Sequence, residues 1–298
     1  MELKNKTIVV TGPTGMVGPP LCKTLAADNR VTALARFSDA NARADLEAGG
    51  VECIAVDFVE ADFSAVPRDV DVVVNLAVIK TGDWKTDLAV CSEATGHLMS
   101  HFRDSEAFLH CSSGAVYQPN GGQPFTEDSP HGNHHAHMMP TYSICKIAGE
   151  SVARFGAQEF NLPTVIARLN VPYGDTTGWP FFHLLMMRAG MDIEVHTDGA
   201  RYNLVHDEDI AADLPVLLDQ ASVPATTLNW ASPGLVSVAE WCAFMAEIDG
   251  CDPPKIVESD TAIPSTVMDT SRIEALRPDR LVNWQNGLRR LVENHPAH

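Results

Sequence analysis

The stretch TIVVTGPTGMVGPPL, from Thr7 to Leu21, constrains the fold more than any other part of this chain. An apolar, β-branched run of strand length ends at Thr11. Gly12, Gly15 and Gly18 follow at intervals of three, and then a helix-like segment. The alternation continues: VTALAR, VECIAV, VDVVVNLAV and AFLHCSS read as further strands, separated by the helix-like SDANARADLEAGG and a segment from about Trp84 to Phe102. Strands alternating with helices predict an α/β fold, a doubly wound parallel sheet with helices on both faces. Apolar runs that are continuous rather than alternating predict strands buried on both sides.

The glycines have a physical reason. The first permits a tight turn, the second lets the backbone approach a pyrophosphate, and the third allows close helix-to-strand packing. The helix N-terminus is expected to add free N–H groups and the positive end of its dipole. A dinucleotide-binding, Rossmann-type core is therefore expected over residues 1–172. It takes in the amphipathic YSICKIAGESVARFGAQEF and the strand PTVIARLNV. Beyond Tyr173, YGDTTGWPFF precedes two segments that read as helical, LVSVAEWCAFMAEI and SRIEALRPDRLVNWQNGLRRLVE. Residues 173–298 are expected to form a smaller, mainly substrate-binding portion, with some segments returning to the core.

Composition narrows the partners. Acidic residues outnumber basic ones by 39 to 21, a formal charge of −18, so the surface repels nucleic acid and anionic membranes. A small-molecule substrate is expected instead. Seven cysteines without CxxC pairing read as reduced thiols of a cytoplasmic protein. No apolar run approaches the roughly 20 residues that span a bilayer, and the first strand begins too early to leave room for a signal peptide.

Two further features carry chemistry. Tyr142 and Lys146, in YSICK, are four residues apart and share one helical face. An ammonium beneath the phenol favours the phenolate over its usual pKa of about 10 and makes tyrosine a usable general acid/base. The second strand ends in Ala35 and Arg36, with no carboxylate until Asp39. Arginine pairs with a 2′-phosphate that a carboxylate would repel, so NADP is expected in preference to NAD.

The TGxxGxxG spacing, the strand FLHCSSGAVY and YSICK, in that order, resemble the extended short-chain dehydrogenase/reductase family, also called the epimerase/dehydratase family. PFTEDSP, NLVHDEDIA and VNWQNGLRRLVE also look like family segments. The resemblance implies a nicotinamide cofactor held by Gly12, Gly15, Met16, Val17 and Gly18, by Arg36, by Asp57 and Phe58 after the third strand, and by Asn75 and Ala77. Lys80 matches a lysine near the cofactor in UDP-galactose 4-epimerase-like members. Catalysis is implied for Ser113, Tyr142 and Lys146, the last two also touching the cofactor, with Ser112 the neighbouring candidate for the serine. Tyr142 would move a proton while hydride passes between substrate carbon and nicotinamide, and Ser113 would hold the substrate oxygen. A homodimer is implied through the helices at about 84–103 and 142–160.

Departures from nucleotide-sugar members bear on the substrate. CSEAT puts Cys91 where NxxGT has asparagine. The asparagine of R-x-x-N falls on Val171, with Asn170 one step off, and the diphosphate-gripping arginine falls on Tyr202, with Arg201 one residue away. SSGAVY lacks the Asp-Glu pair of sugar 4,6-dehydratases. Ser113, Val171, Phe182 and Arg201 are the expected substrate contacts, with Trp179, Phe181, Met186 and Met187 in the same region. The reading is an NAD(P)-dependent oxidoreductase interconverting a secondary alcohol and a ketone on a small organic substrate. The alternatives are a nucleotide-sugar 4-epimerase and a non-catalytic dinucleotide-sensing protein. His131, His134, His135 and His137 lack the paired-ligand spacing of zinc sites, so no metal is expected; they read as a mobile loop near the active site.

Overall fold

The computed structural model describes residues 1–296; Ala297 and His298, which end the 173–298 portion, lie outside the described residues. The chain opens with β1 (Thr7–Thr11), α1 (Gly18–Ala26), β2 (Arg30–Ala35), α2 (Ala40–Ala48), β3 (Glu52–Ala55) and β4 (Val72–Asn75). Next come α3 (Trp84–Leu88), a π-turn (Ala89–Glu93), α4 (Ala94–His101), β5 (Ala107–Ser113), α5 (Tyr142–Glu159), β6 (Thr164–Leu169) and β7 (Val171–Tyr173). Then follow α6 (Trp179–Arg188), β8 (Ile193–Val195), β9 (Arg201–His206), α7 (Asp207–Leu218) and β10 (Thr226–Trp230). The chain closes with β11 (Leu235–Ser237), α8 (Val238–Asp249), β12 (Ile256–Glu258), α9 (Ser271–Leu276) and α10 (Trp284–Glu293). Two compact units result: Met1–Ser113 with Thr141–Arg168 and Ala211–Leu228, and Gly114–Pro140 with Leu169–Ile210 and Asn229–His298.

The first unit is built on a seven-stranded sheet in the order β10-β6-β5-β4-β1-β2-β3. The pairs β1–β2, β2–β3, β1–β4 and β4–β5 are all parallel. Ile8 to Val10 and Val72 to Val74 are buried on both faces, as their unbroken apolar sequence predicts. From β1 the chain winds outward to β2 and β3, then returns through β4 on the other side. That reversal opens a crevice at the carboxyl ends of β1 and β4, the switch point where doubly wound sheets hold ligands.

The second unit has a three-stranded sheet, β11-β9-β7, and a two-stranded one, β12-β8. Trp179, Tyr202 and Trp241 pack edge to face in its core. Two sequence expectations change here. Leu235 to Ser237, read as helix, pair antiparallel with β9; α8 starts only at Val238, where Ser237 and Glu240 close a capping box. The long C-terminal helical segment is two helices. Pro278 cannot continue α9, and Arg277 with the N–H groups of Leu281 and Val282 turns in to bind buried Asp209.

Candidate active site

The switch-point crevice, about 190 Å³, is lined by the glycine turn and by residues just beyond β2, β3 and β4. Gly12 has φ +66°, and a Cβ there would lie 2.9 Å from the carbonyl carbon of Leu76. A Cβ on Gly18 would sit 2.4 Å from the carbonyl oxygen of Gly12. Both positions need glycine, whereas Gly15 is exposed and keeps its backbone open. Met16 is exposed beside it, and Val17 caps α1. The helix offers fewer donors than expected, because Pro19 and Pro20 occupy its first turn and have no N–H. Donors for an anion fall instead to Met16, Val17 and Gly18 at the turn. A turn stripped of side chains at a switch point fits a dinucleotide.

Around the crevice, Arg36 and Asp57 are exposed and line it, with Phe58 buried against Phe63. The next carboxylate on the rim, Asp39, is occupied as the cap of α2, accepting from the N–H of Asn41 at 2.9 Å. Ala77 lines the crevice; Asn75 does not. The buried Asn75 amide accepts from the Thr11 hydroxyl at 2.6 Å and donates to Thr95 and to Nδ1 of His110, each at 3.2 Å. Thr11 in turn accepts the N–H of Ala77 at 3.0 Å. Asn75 therefore ties β1 to β4 and fixes the turn from behind. Burial, helped by the nearby Lys146, pushes His110 down to about 3, so its ring is neutral.

Tyr142 and Lys146 stand on the first turns of α5, Tyr142 half-buried and Lys146 buried. Lys146 Nζ donates to the carbonyl of Cys111 on β5 at 2.8 Å, two residues before Ser113 at the strand's end. Burial works against its charge. Tyr142, Cys111, Cys91 and Glu150 nevertheless hold its pKa above the ordinary lysine value, so the ammonium stays charged. Adjacent strand residues face opposite ways, which separates the two serines. Buried Ser112 donates to Glu150 at 2.6 Å, while Ser113 is half-buried. Lys80 places its ammonium 4.5 Å from the centre of the Tyr142 ring. The first unit thus gathers Tyr142, Lys146, Lys80 and the end of β5. A phenol able to hold or release a proton, flanked by two cations, suits acid/base work at a substrate oxygen. A nicotinamide ring, when bound, supplies the hydride acceptor and donor.

Within the second unit, Val171 is half-buried opposite Leu204 of β9. Asn170, one step away, is committed inside the unit, as is Tyr202. Asn170 donates to the carbonyl of Thr266 at 2.8 Å, and the buried Tyr202 hydroxyl donates to that of Ile263 at 2.7 Å. Arg201, half-buried, makes a 3.3 Å contact to the carbonyl of Gly122. Phe182 is exposed and lines a cavity of about 390 Å³ with Trp179, Met186 and Tyr202, whereas Met187 packs in the core. The histidine run is partly a buried element: His134 is 3% exposed, its Nε2–H donates to the carbonyl of Ser265 at 3.1 Å, and burial pushes it down to about 4. Among the described residues, no group of three or more His, Cys, Asp or Glu side chains could hold a metal ion. None of the described helices is long and apolar enough to cross a membrane. Sequence reasoning missed two buried carboxylates of the first unit, Glu150 and Asp87. Glu150, on the same helical face four residues past Lys146, could have been found from that spacing. Asp87 carried no such signal.

The family described as NAD dependent epimerase/dehydratase matches residues 8–229. No curated protein matched the chain. Among solved structures, the chain is similar to UDP-glucuronic acid 4-epimerase from Bacillus cereus in complex with UDP-glucuronic acid and NAD, with a TM-score of 0.80, 21% identity, and 94% of this chain and 96% of that one covered. MoeE5 in complex with UDP-glucose and NAD has a TM-score of 0.80, 22% identity, and coverage of 97% and 98%. WbmG from Bordetella bronchiseptica in complex with NAD and UDP has a TM-score of 0.81, 19% identity, and coverage of 98% and 95%. The family match spans the glycine turn, the serine strand and the Tyr142 helix together, so this chain is an NAD-dependent enzyme and belongs to the NAD-dependent epimerase/dehydratase family.

Proposed function

We propose that the chain is a nucleotide-sugar 4-epimerase, oxidising and re-reducing one secondary alcohol carbon. The observation that carries this reading is the Tyr142–Lys146 pair, anchored to β5 beside Ser113 in the unit that also holds the glycine-turn crevice. Tyr142 takes the proton of the substrate hydroxyl and later returns it. Lys146 keeps a positive charge beneath it, and Ser113 donates to the substrate oxygen. Gly12, Gly15, Met16, Val17, Gly18, Arg36, Asp57, Phe58, Ala77 and Lys80 hold the cofactor, with Asn75 acting from behind. Arg36 draws the choice towards NADP. The first unit binds the dinucleotide and the second the substrate. Support for the substrate class comes from the UDP and UDP-sugars in the similar structures, from Arg201 as a cation for a diphosphate, and from the Trp179–Phe182–Met186 cavity for an aromatic base.

A second reading, a reductase of a smaller ketone, is favoured by one observation: Asn170 and Tyr202 are committed inside the protein. A thermal-shift panel of NADP, NAD and UDP separates the two. At a hundred times its Kd a ligand adds about 2.7 kcal/mol of apparent stability, a shift of several degrees. UDP should raise the midpoint, and UDP-glucose or UDP-glucuronic acid should convert to its 4-epimer without added reductant. No shift with UDP, together with NADPH consumption on a simple ketone, would favour the reductase. A larger shift with NAD than with NADP would end the NADP preference.

The homodimer belongs to the same proposal. Trp84, Ile144 and Phe155 are exposed apolar side chains on the helices concerned. Sedimentation should give twice the 32.3 kDa chain mass; a 32.3 kDa species alone would refute it.

A further inference from the structure

Asp87 on α3 is wholly buried, and every bond it accepts leads to the catalytic helix or to the crevice loop. Oδ1 accepts the N–H of Thr81 at 3.0 Å and its hydroxyl at 2.6 Å. Oδ2 accepts the N–H of Gly82 at 3.1 Å and the hydroxyl of Thr141 at 2.6 Å. Burial alone would raise its pKa, but the bonds from Thr141, Thr81 and Gly82 outweigh it and hold the carboxyl below the ordinary range. Asp87 is thus a buried anion surrounded by donors, which makes its geometry stiff.

What those donors adjoin matters most. Thr81 follows Lys80, and Thr141 precedes Tyr142; Lys80 and Tyr142 are the two residues in cation–π contact at 4.5 Å. One carboxylate grips the neighbour of each. The same loop is pinned a second time: Ile79 N–H and Ile79 carbonyl both meet the Cys91 thiol at 3.5 Å. Cys91 lies in the π-turn, four residues past Asp87, so one short helical segment brackets the loop twice. The π-turn is itself fixed against α5, where a Cβ on Gly149 would fall 2.5 Å from the Cys91 carbonyl.

We propose that Asp87 is a positioning residue for proton transfer, coupling the loop at 77–82, part of which lines the crevice, to the head of α5 so that Lys80 and Tyr142 keep one mutual geometry. The proposal rests on the reading of Tyr142 as the proton carrier. It needs no contact between Asp87 and substrate or cofactor.

The test uses the full chain and four variants, Asp87→Asn, Thr141→Val, Thr141→Ser and Tyr142→Phe. Steady-state kinetics on the UDP-sugar panel, NADPH titration and amide exchange are read for each. Thr141→Val removes one of the bonds that hold the head of α5 to Asp87 and should lower kcat about tenfold or more. KM and NADPH affinity should stay near wild type, and Thr141→Ser, which keeps the hydroxyl, should restore kcat. Asp87→Asn, which turns a donor towards donors, should speed exchange at 79–82 and 141–146 together and leave the rest of the first unit unchanged. Wild-type kcat in Thr141→Val, or exchange that rises everywhere or in neither segment, overturns the proposal. Tyr142→Phe isolates the underlying reading: if it turns over normally, that reading fails, and the exchange data still decide whether Asp87 couples the two segments.

Discussion

Replacing Glu150 by alanine is expected to destabilise the first unit by about 3–5 kcal/mol, the usual cost of breaking one side of a buried ion pair. Glu150 is 0% exposed and Arg168 2%. The pair is bidentate, with Nε–Oε1 and Nη2–Oε2 both 2.8 Å. Ser112 and Arg154 supply two further bonds, at 2.6 and 3.1 Å. Removing the carboxylate takes from the buried Arg168 guanidinium both of its 2.8 Å bonds to Glu150. Against a total stability of about 5–15 kcal/mol, that loss is a fifth or more. Urea unfolding at pH 7 measures it, and a change below about 1 kcal/mol would contradict the argument.

The same site sets an acid limit. Burial raises the Glu150 pKa, but the bonds and charge of Arg168, with Ser112 and Arg154, bring it down to about 2, below its unfolded value of 4.5. A depressed carboxylate contributes stability above pH 4.5 and loses it as pH falls through 2. Wild-type unfolding midpoints should therefore fall across that window, and Glu150→Gln should flatten the fall.

Tyr142→Phe is expected to lower kcat by about 10²- to 10⁴-fold, the range for a lost general acid/base. The substitution removes one hydroxyl from a half-buried position and keeps the ring. Lys80 therefore retains its aromatic face, and the fold retains its packing. Affinity for the nicotinamide cofactor should change by no more than about threefold, because the ring that Lys80 faces is kept. A variant that keeps turnover within about tenfold of wild type would show that another group carries the proton.

How far the sequence reached depends on how local each signal was. Six strands of the sheet were legible as largely apolar runs, whereas β10, the short and half-polar TTLNW, was not; the glycine turn was legible because steric need at Gly12 and Gly18 leaves no other residue. Pro19 and Pro20 are local too, and they remove two N–H donors that the spacing of the glycines alone does not reveal. Side-chain direction was harder. Ser112 and Ser113 are chemically identical neighbours, and only the pleat, with Glu150 on one side, tells them apart. Asn75 looked like a ligand contact but bonds inward, since its partners Thr95 and His110 come from distant segments. Asp87 was invisible for the same reason: Thr141 is 54 residues away in sequence. The β11 strand hid within an apparently helical stretch because a capping box, not periodicity, fixes where α8 begins.

The claim at the centre is that the phenol of Tyr142 and the ammonium of Lys146 act as one proton-transferring device. The double-mutant cycle of Tyr142→Phe and Lys146→Met tests it most directly, by kcat on the substrate found in the UDP-sugar panel. Residues that act as a unit are strongly non-additive, so the double variant should be no slower than the slower single variant. Losses that multiply would mean the two groups act separately, and the proposed device would not exist.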